Sequence, residues 1–227
     1  IDVHMTDLIS TRQSLNDFEG LVACGGFSYG DVLGAGGGWA SNILFNKDLR
    51  NQFGEFFQNE NAFSLGVCNG CQVLSLLQPL IPGSENWPNF RRNTSEKFES
   101  RLVQVTVEES PSIFFEGMAG AVIPVPVAHG EGRVEASANN LEFLSKNKYT
   151  SISYAGYDGM HTEDYPANPN GSAQGIAGLT NKYGTVTIMM PHPERSFLNS
   201  QYSWSPDEWS HYSPWIKFFL NAREFIG

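Results

Sequence analysis

The chain has 227 residues, 14 Lys and Arg against 24 Asp and Glu for a formal net charge of -10 at pH 7, with 41% hydrophobic and 17% charged residues. At about 150 residues per domain this length suits one large domain or two small ones, and a chain of this size buries a core without disulfide or metal staples. The apolar content excludes a disordered chain, and an acidic balance with no run of five basic residues argues against nucleic acid or anionic lipid as partners.

No stretch approaches 18 consecutive apolar residues, so the chain reads as soluble, with no membrane partner. Cys24, Cys68 and Cys71 are odd in number, and two lie too close together to staple distant elements, which predicts a reducing, cytoplasmic setting. The chain opens at Ile1 without Met, as an excerpt of a longer polypeptide would, and no repeat or linker divides 1–227, so one domain is expected.

In chain order, the alternation in Ile1-Asp2-Val3-His4-Met5 predicts a strand. Leu21-Val22-Ala23-Cys24, stopped by Gly25-Gly26, predicts a buried parallel strand ending in a loop. Apolar residues at spacings of three and four over about 39–57 predict a helix, with room for a break. Phe63-Ser64-Leu65-Gly66-Val67 is strand-like, and the segment from Cys71 to Leu77 is helix-like. The two abut across Cys68-Asn69-Gly70 with almost no connection. Further on, Val103, Val105 and Val107 alternate with polar residues, and apolar runs at 176–180 and 185–190 flank the turn Asn181-Lys182-Tyr183-Gly184. Ser213 before Pro214 predicts an N-cap and first-turn proline for a closing amphipathic helix through Phe225. Strands alternating with helices, then hairpins, give an α/β three-layer sandwich with a mixed sheet.

The chemistry concentrates at Gly66-Val67-Cys68-Asn69-Gly70, which has the glycine-x-nucleophile-x-glycine pattern of a nucleophile elbow with cysteine in place of serine. A sharp strand-to-helix turn strains the backbone at the nucleophile and leaves no room for side chains beside it, hence a glycine on each side. The helix that follows offers a positive dipole end and N–H groups, which favour a thiolate and hold an oxyanion. Elbow pattern alone is equally compatible with an inert buried cysteine. Pro191-His192-Pro193-Glu194-Arg195 closes an apolar run; a residue before proline is driven toward extended backbone, which puts Glu194 at i+2 on the same side as His192. Cys68, His192 and Glu194 thus satisfy the logic of nucleophile, base and orienting group. His129, with Glu131 also at i+2, is a competing base that spacing does not separate from His192. The glycine-rich loop from Gly25 to Asp31 is suited to a second oxyanion arm and lacks the features of a phosphate loop. Cys68-x-x-Cys71 could form a redox pair, and with no second pair it is a poor zinc site.

GVCNGCQ with PHPER far downstream resembles the class I (triad) glutamine amidotransferases. GGFSYGDVLGAGGGWA, IPGSENWPNFRRNTSEKFESR, VPVAHGEGR, YPANPNGS and MMPHPERSF, in this order, narrow the likeness to the glutaminase domains of the long, single-chain phosphoribosylformylglycinamidine synthases, over essentially the whole chain. The resemblance implies a flavodoxin-like mixed sheet, Cys68 as nucleophile with His192 and Glu194 completing the triad, and an oxyanion hole from backbone N–H groups near Gly26, Phe27 and Asn69. Gln72 would lie near bound glutamine, and His129 would line the pocket. It implies glutamine as substrate, no cofactor or metal in this segment, and ammonia delivered to an ATP- and Mg-dependent synthetase domain of the same polypeptide in purine biosynthesis. Domains of this kind begin with a further strand and helix; a chain without them is expected to lack a central strand and to hydrolyse glutamine weakly by itself. Alternatives are a triad glutaminase serving a GMP- or CTP-forming synthetase, a silent docking module, and a Cys68-Cys71 redox sensor.

Overall fold

The computed structural model describes residues 1–26, 34 and 36–227. Three parallel strands form one half of the main sheet: β1 (Gly20–Ala23) pairs with β2 (Phe63–Val67), and β2 pairs with β9 (Val186–Met189). The other half is antiparallel. It runs from β9 through β8 (Ile176–Thr180), β7 (Thr150–Ala155) and β4 (Glu99–Val107) to β5 (Val122–His129) at the edge. A separate antiparallel pair, β3 (Asn89–Arg92) and β6 (Glu131–Glu135), stands beside it.

Alternation along β2 sorts the helices into two outer layers. Gly66 faces α4 (Asn69–Leu76), where a Cβ on Gly66 would lie 2.6 Å from the Gly70 carbonyl oxygen. Phe63 faces the opposite side. Its ring meets Phe114 at 5.4 Å, and Phe114 stacks at 4.9 Å on Phe218 of α6 (Trp215–Phe225). The sheet is therefore covered on both faces, as a three-layer α/β sandwich requires. The segment expected to be one broken helix is two, α2 (Gly37–Phe45) and α3 (Lys47–Gln58), divided at Asn46, whose side chain caps α3. Leu49, Phe53, Phe56 and Phe57 form the buried stripe of α3.

Three local expectations are corrected. Residues 1–5 do not form a strand; Met5–Ile9 is a short helix, α1, because His4 and Asp7 make a capping box, with the Thr6 N–H donating to His4 Nδ1 at 3.3 Å and the His4 N–H to Asp7 Oδ2 at 3.3 Å. β1 is parallel as expected but lies at the sheet edge with Val22 59% exposed, so only Ala23 is buried. The closing helix begins one residue later than Ser213 and Pro214 suggest, and the Ser213 hydroxyl accepts the Trp215 N–H at 3.2 Å. Among the described residues, no helix is long and apolar enough to cross a membrane.

Candidate active site

Cys68 occupies the single residue between β2 and α4, with φ 56° and ψ -109°. A non-glycine residue at positive φ costs on the order of 1–3 kcal/mol and persists where the surroundings over-determine it. Here they do. The Cys68 N–H is tied to the Met189 carbonyl at 2.8 Å, and its carbonyl accepts the Gln72 N–H at 3.2 Å. The turn needs both glycines, because a Cβ on Gly70 would fall 1.8 Å from the Ala23 carbonyl oxygen. Asn69 and Gly70 open α4, and first-turn N–H groups have no acceptor inside their own helix. The Cys68 thiol donates to the Ala128 carbonyl at 3.7 Å.

His192 follows β9 between two prolines and is 1% exposed. Its N–H donates to the Pro126 carbonyl at 2.8 Å, which fixes the backbone. Glu194 reaches it through a short 3-10 turn over Pro193–Arg195 rather than through extended alternation, and Glu194 Oε1 lies 2.6 Å from Nδ1. Among the described residues Nε2 is buried without an aligned hydrogen-bond partner, and the ring interacts electrostatically with the Cys68 side chain. Burial alone would lower the imidazole pKa; interaction with Cys68 and Glu194 outweighs it and raises the pKa to about 9. Arg195 Nε approaches the same Glu194 oxygen at 3.6 Å.

Cys68 and His192 open onto a cavity of about 530 Å³, lined also by Gly26, Asn69, Gln72 and His129. Gly26 has φ 109°, and no atom of the other described residues lies within 4 Å of where its Cβ would be. Phe27, expected in the same oxyanion arm, lies outside the described residues. Gln72, one turn along α4 from Cys68, donates through Nε2 to the Glu131 carbonyl. His129 is 3% exposed at the end of β5, and burial, with the nearby His192 charge, lowers its pKa to about 4. So weakly basic an imidazole is poorly suited to hold the thiol proton near neutral pH. The Glu131 carboxylate accepts the Gly34 N–H at 2.9 and 3.1 Å.

Three features are not carried by local sequence pattern: the Ala128 carbonyl at the thiol, the Glu131 anchor on Gly34, and buried Glu99, cross-strand partner of His129 and ion-paired with Arg101. Arg101 also donates to the Tyr165 hydroxyl at 2.8 Å, and Arg91 pairs with Glu135 at 3.2 Å, so both serve internal networks. Cys71 is fully buried, and burial pushes its thiol well above the ordinary value, which disfavours redox pairing with Cys68. His4 caps α1, and the His211 ring lies 4.6 Å from Tyr212.

Comparison with known proteins agrees with this architecture. A structure of PurLQS from Thermotoga maritima shares 24% identity at a TM-score of 0.68, over 95% of this chain and 83% of that one. The glutaminase domain of CTPS from Trypanosoma brucei, with acivicin bound, has a TM-score of 0.54 and 15% identity, over 99% of this chain and 80% of that one. Both share the fold, a flavodoxin-like mixed α/β sandwich. The model of the CobB/CobQ-like glutamine amidotransferase domain matches residues 1–226, so the chain belongs to the glutamine amidotransferase family, ligases that take their amide nitrogen from glutamine.

Proposed function

We propose that this domain is the glutaminase part of a phosphoribosylformylglycinamidine synthase. The observation that carries the chemistry is the contact set at the elbow: Cys68 at positive φ beside a buried His192 whose Nδ1 is held by Glu194 at 2.6 Å. Cys68 attacks the γ-carboxamide carbon of glutamine as the thiolate, with His192 as imidazolium. Backbone N–H groups of the first turn of α4, at Asn69, and of the Gly26 arm stabilise the tetrahedral oxyanion. The C–N bond then breaks as His192 delivers its proton to the departing ammonia, leaving a γ-glutamyl thioester. Water attacks the thioester carbonyl and gives a proton to neutral His192. Glutamate leaves, and the thiolate and imidazolium are restored. Glu194 keeps the ring in the tautomer and orientation that present Nε2 to sulfur, and Gln72 and His129 line the glutamine pocket.

Ammonia then passes inside the protein to an ATP- and Mg-dependent synthetase domain of the same polypeptide, which converts formylglycinamide ribonucleotide to its amidine in the cytoplasm. The motifs VPVAHGEGR and YPANPNGS support this acceptor over those of GMP- or CTP-forming enzymes. The test is Cys68→Ser in the polypeptide that carries both activities. Glutamine-dependent amidine formation is expected to fall at least about 10³-fold, as for removal of a nucleophile, while amidine formation from ammonium chloride persists. Undiminished glutamine-dependent turnover would overturn the nucleophile assignment, and amination of a different nucleotide would overturn the acceptor.

A further inference from the structure

His129 is the last residue of β5, almost fully buried, and lines the cavity with Cys68 and His192. Neither of its ring nitrogens has an aligned hydrogen-bond partner among the described residues. Its own carbonyl, which the ring approaches, already accepts Asn93 Nδ2 at 2.8 Å, and Glu99, its cross-strand partner, is ion-paired with Arg101. The ring is nevertheless closely seated: a Cβ at Gly132 would stand 3.0 Å from its Cε1, its Nδ1 and the Met190 Cε. Gly132 is in turn fixed, its N–H donating to Asn93 Oδ1 at 3.2 Å and its carbonyl accepting Asn170 Nδ2 at 2.9 Å. Residues of three separate motifs, NFRRN, VAHGEGR and NPNGS, thus build the seat of one imidazole.

A buried polar group left without a partner destabilises the fold, so two such nitrogens on a cavity wall point to a ligand that satisfies them. With the pKa lowered to about 4 by burial and the His192 charge, the ring is neutral near pH 7, and a neutral imidazole has one donor and one acceptor nitrogen. Ala128, the residue before it, turns its carbonyl to the Cys68 thiol at 3.7 Å. Once the sulfur is a thiolate, that carbonyl loses its donor and can accept another. β5 therefore brings two acceptors to the sulfur, whereas the first turn of α4 brings N–H donors. An oxyanion matches the donors, and an amide NH2 group, with two hydrogens to give, matches the acceptors.

We propose that His129 and the Ala128 carbonyl form the subsite for the amide nitrogen of glutamine, each accepting one N–H of the γ-carboxamide. The inference rests on the reading of Cys68 as the glutamine nucleophile. The subsite selects an amide over an ester or an acid by the N–H groups that the amide alone carries, and it holds the nitrogen while His192 delivers the third proton. A site built to hydrogen-bond a substrate group discriminates strongly against an analogue that lacks it. The γ-methyl ester of glutamic acid passes through the same oxyanion and the same thioester but offers no N–H, so the two substrates separate this role from that of the triad.

The experiment measures kcat/KM for glutamine and for the γ-methyl ester in the polypeptide that carries both activities, as wild type, His129→Phe and His129→Gln. Phenylalanine keeps a planar ring against Gly132 without its nitrogens, and the Gln side chain keeps an acceptor oxygen. His129→Phe is expected to lower kcat/KM for glutamine roughly 10- to 100-fold and for the ester less than about threefold. His129→Gln is expected to recover glutamine turnover to within about fivefold of wild type. Wild-type kcat/KM for glutamine in His129→Phe, equal losses for amide and ester in that variant, or a glutamine loss in His129→Gln as large as in His129→Phe would each overturn the proposal. Failure of the underlying reading has a different signature, undiminished glutamine turnover in Cys68→Ser.

Discussion

Gly70→Ala tests how tightly the elbow is built. The added methyl would sit 1.8 Å from the Ala23 carbonyl oxygen, and real Cβ contacts are essentially never under 3.0 Å, so β1 and α4 must separate by about 1.2 Å. Among the described residues β1 is an edge strand paired only with β2, so it is the element that yields. Overpacking of this kind costs about 1–3 kcal/mol, here toward the upper end because backbone must move, offset by roughly 1 kcal/mol of improved helix propensity. A net loss of about 2 kcal/mol lowers Tm by roughly 4–8 °C for a chain of this length. Gly54→Ala in α3 is the matched control. Among the described residues nothing lies within 4 Å of its Cβ position, so only the propensity gain of roughly 1 kcal/mol remains, and Tm is expected to rise by about 2–4 °C. The shift also disturbs Gly25, which backs on Cys68 and His192, and a misplacement of this size costs up to about 10²-fold in turnover. Thermal unfolding followed by circular dichroism and glutamate release measures both effects. Equal Tm values for the two variants, or wild-type turnover in Gly70→Ala, would refute the close-packed elbow.

Two further outcomes concern pH. Because the His192 pKa is raised to about 9, the proton donor for departing ammonia is lost as pH rises through that value, so kcat is expected to fall on the alkaline side; Glu194→Gln removes one of the raising charges and moves the limb to lower pH, and an unmoved limb would contradict the Glu194 role. Stability follows the two histidines in opposite senses. His129, lowered to about 4, contributes stability that is complete above about pH 6.5 and lost as pH falls toward 4, whereas the contribution of His192 is complete below about pH 6.5 and lost as pH rises through 9. Urea midpoints are therefore expected to decline from pH 7 to pH 9 in the wild type and less so in His192→Ala; equal declines would remove His192 as the cause.

Much of this architecture is legible in the residues because the relevant forces are local. The elbow announces itself through Gly66 and Gly70, each demanded by a contact within the turn or with the neighbouring strand. Glu194 is two residues from His192, so its partnership is visible in sequence, although a turn after Pro193 delivers it rather than an extended backbone. Residues 1–5 misread because a strand-like alternation competes with a capping box that spans only four residues. The exposure of β1 is invisible in Leu21-Val22-Ala23-Cys24, since an apolar run does not tell an edge strand from a central one. Contacts across the chain, such as Glu131 of β6 to Gly34 or Cys68 to the Ala128 carbonyl of β5, depend on where distant segments meet in space, and nothing in either local pattern encodes the meeting.

The central claim, that Cys68 is a nucleophile directed at glutamine, is tested most directly by exposing the protein to a glutamine-like diazoketone and mapping the modified peptides, with free glutamine as competitor. Stoichiometric labelling at Cys68 alone, blocked by glutamine, is the expected result, since Cys71 is buried and Cys24, though exposed, lies outside the elbow. Absence of labelling, or equal labelling at Cys24 and Cys71, would contradict the account.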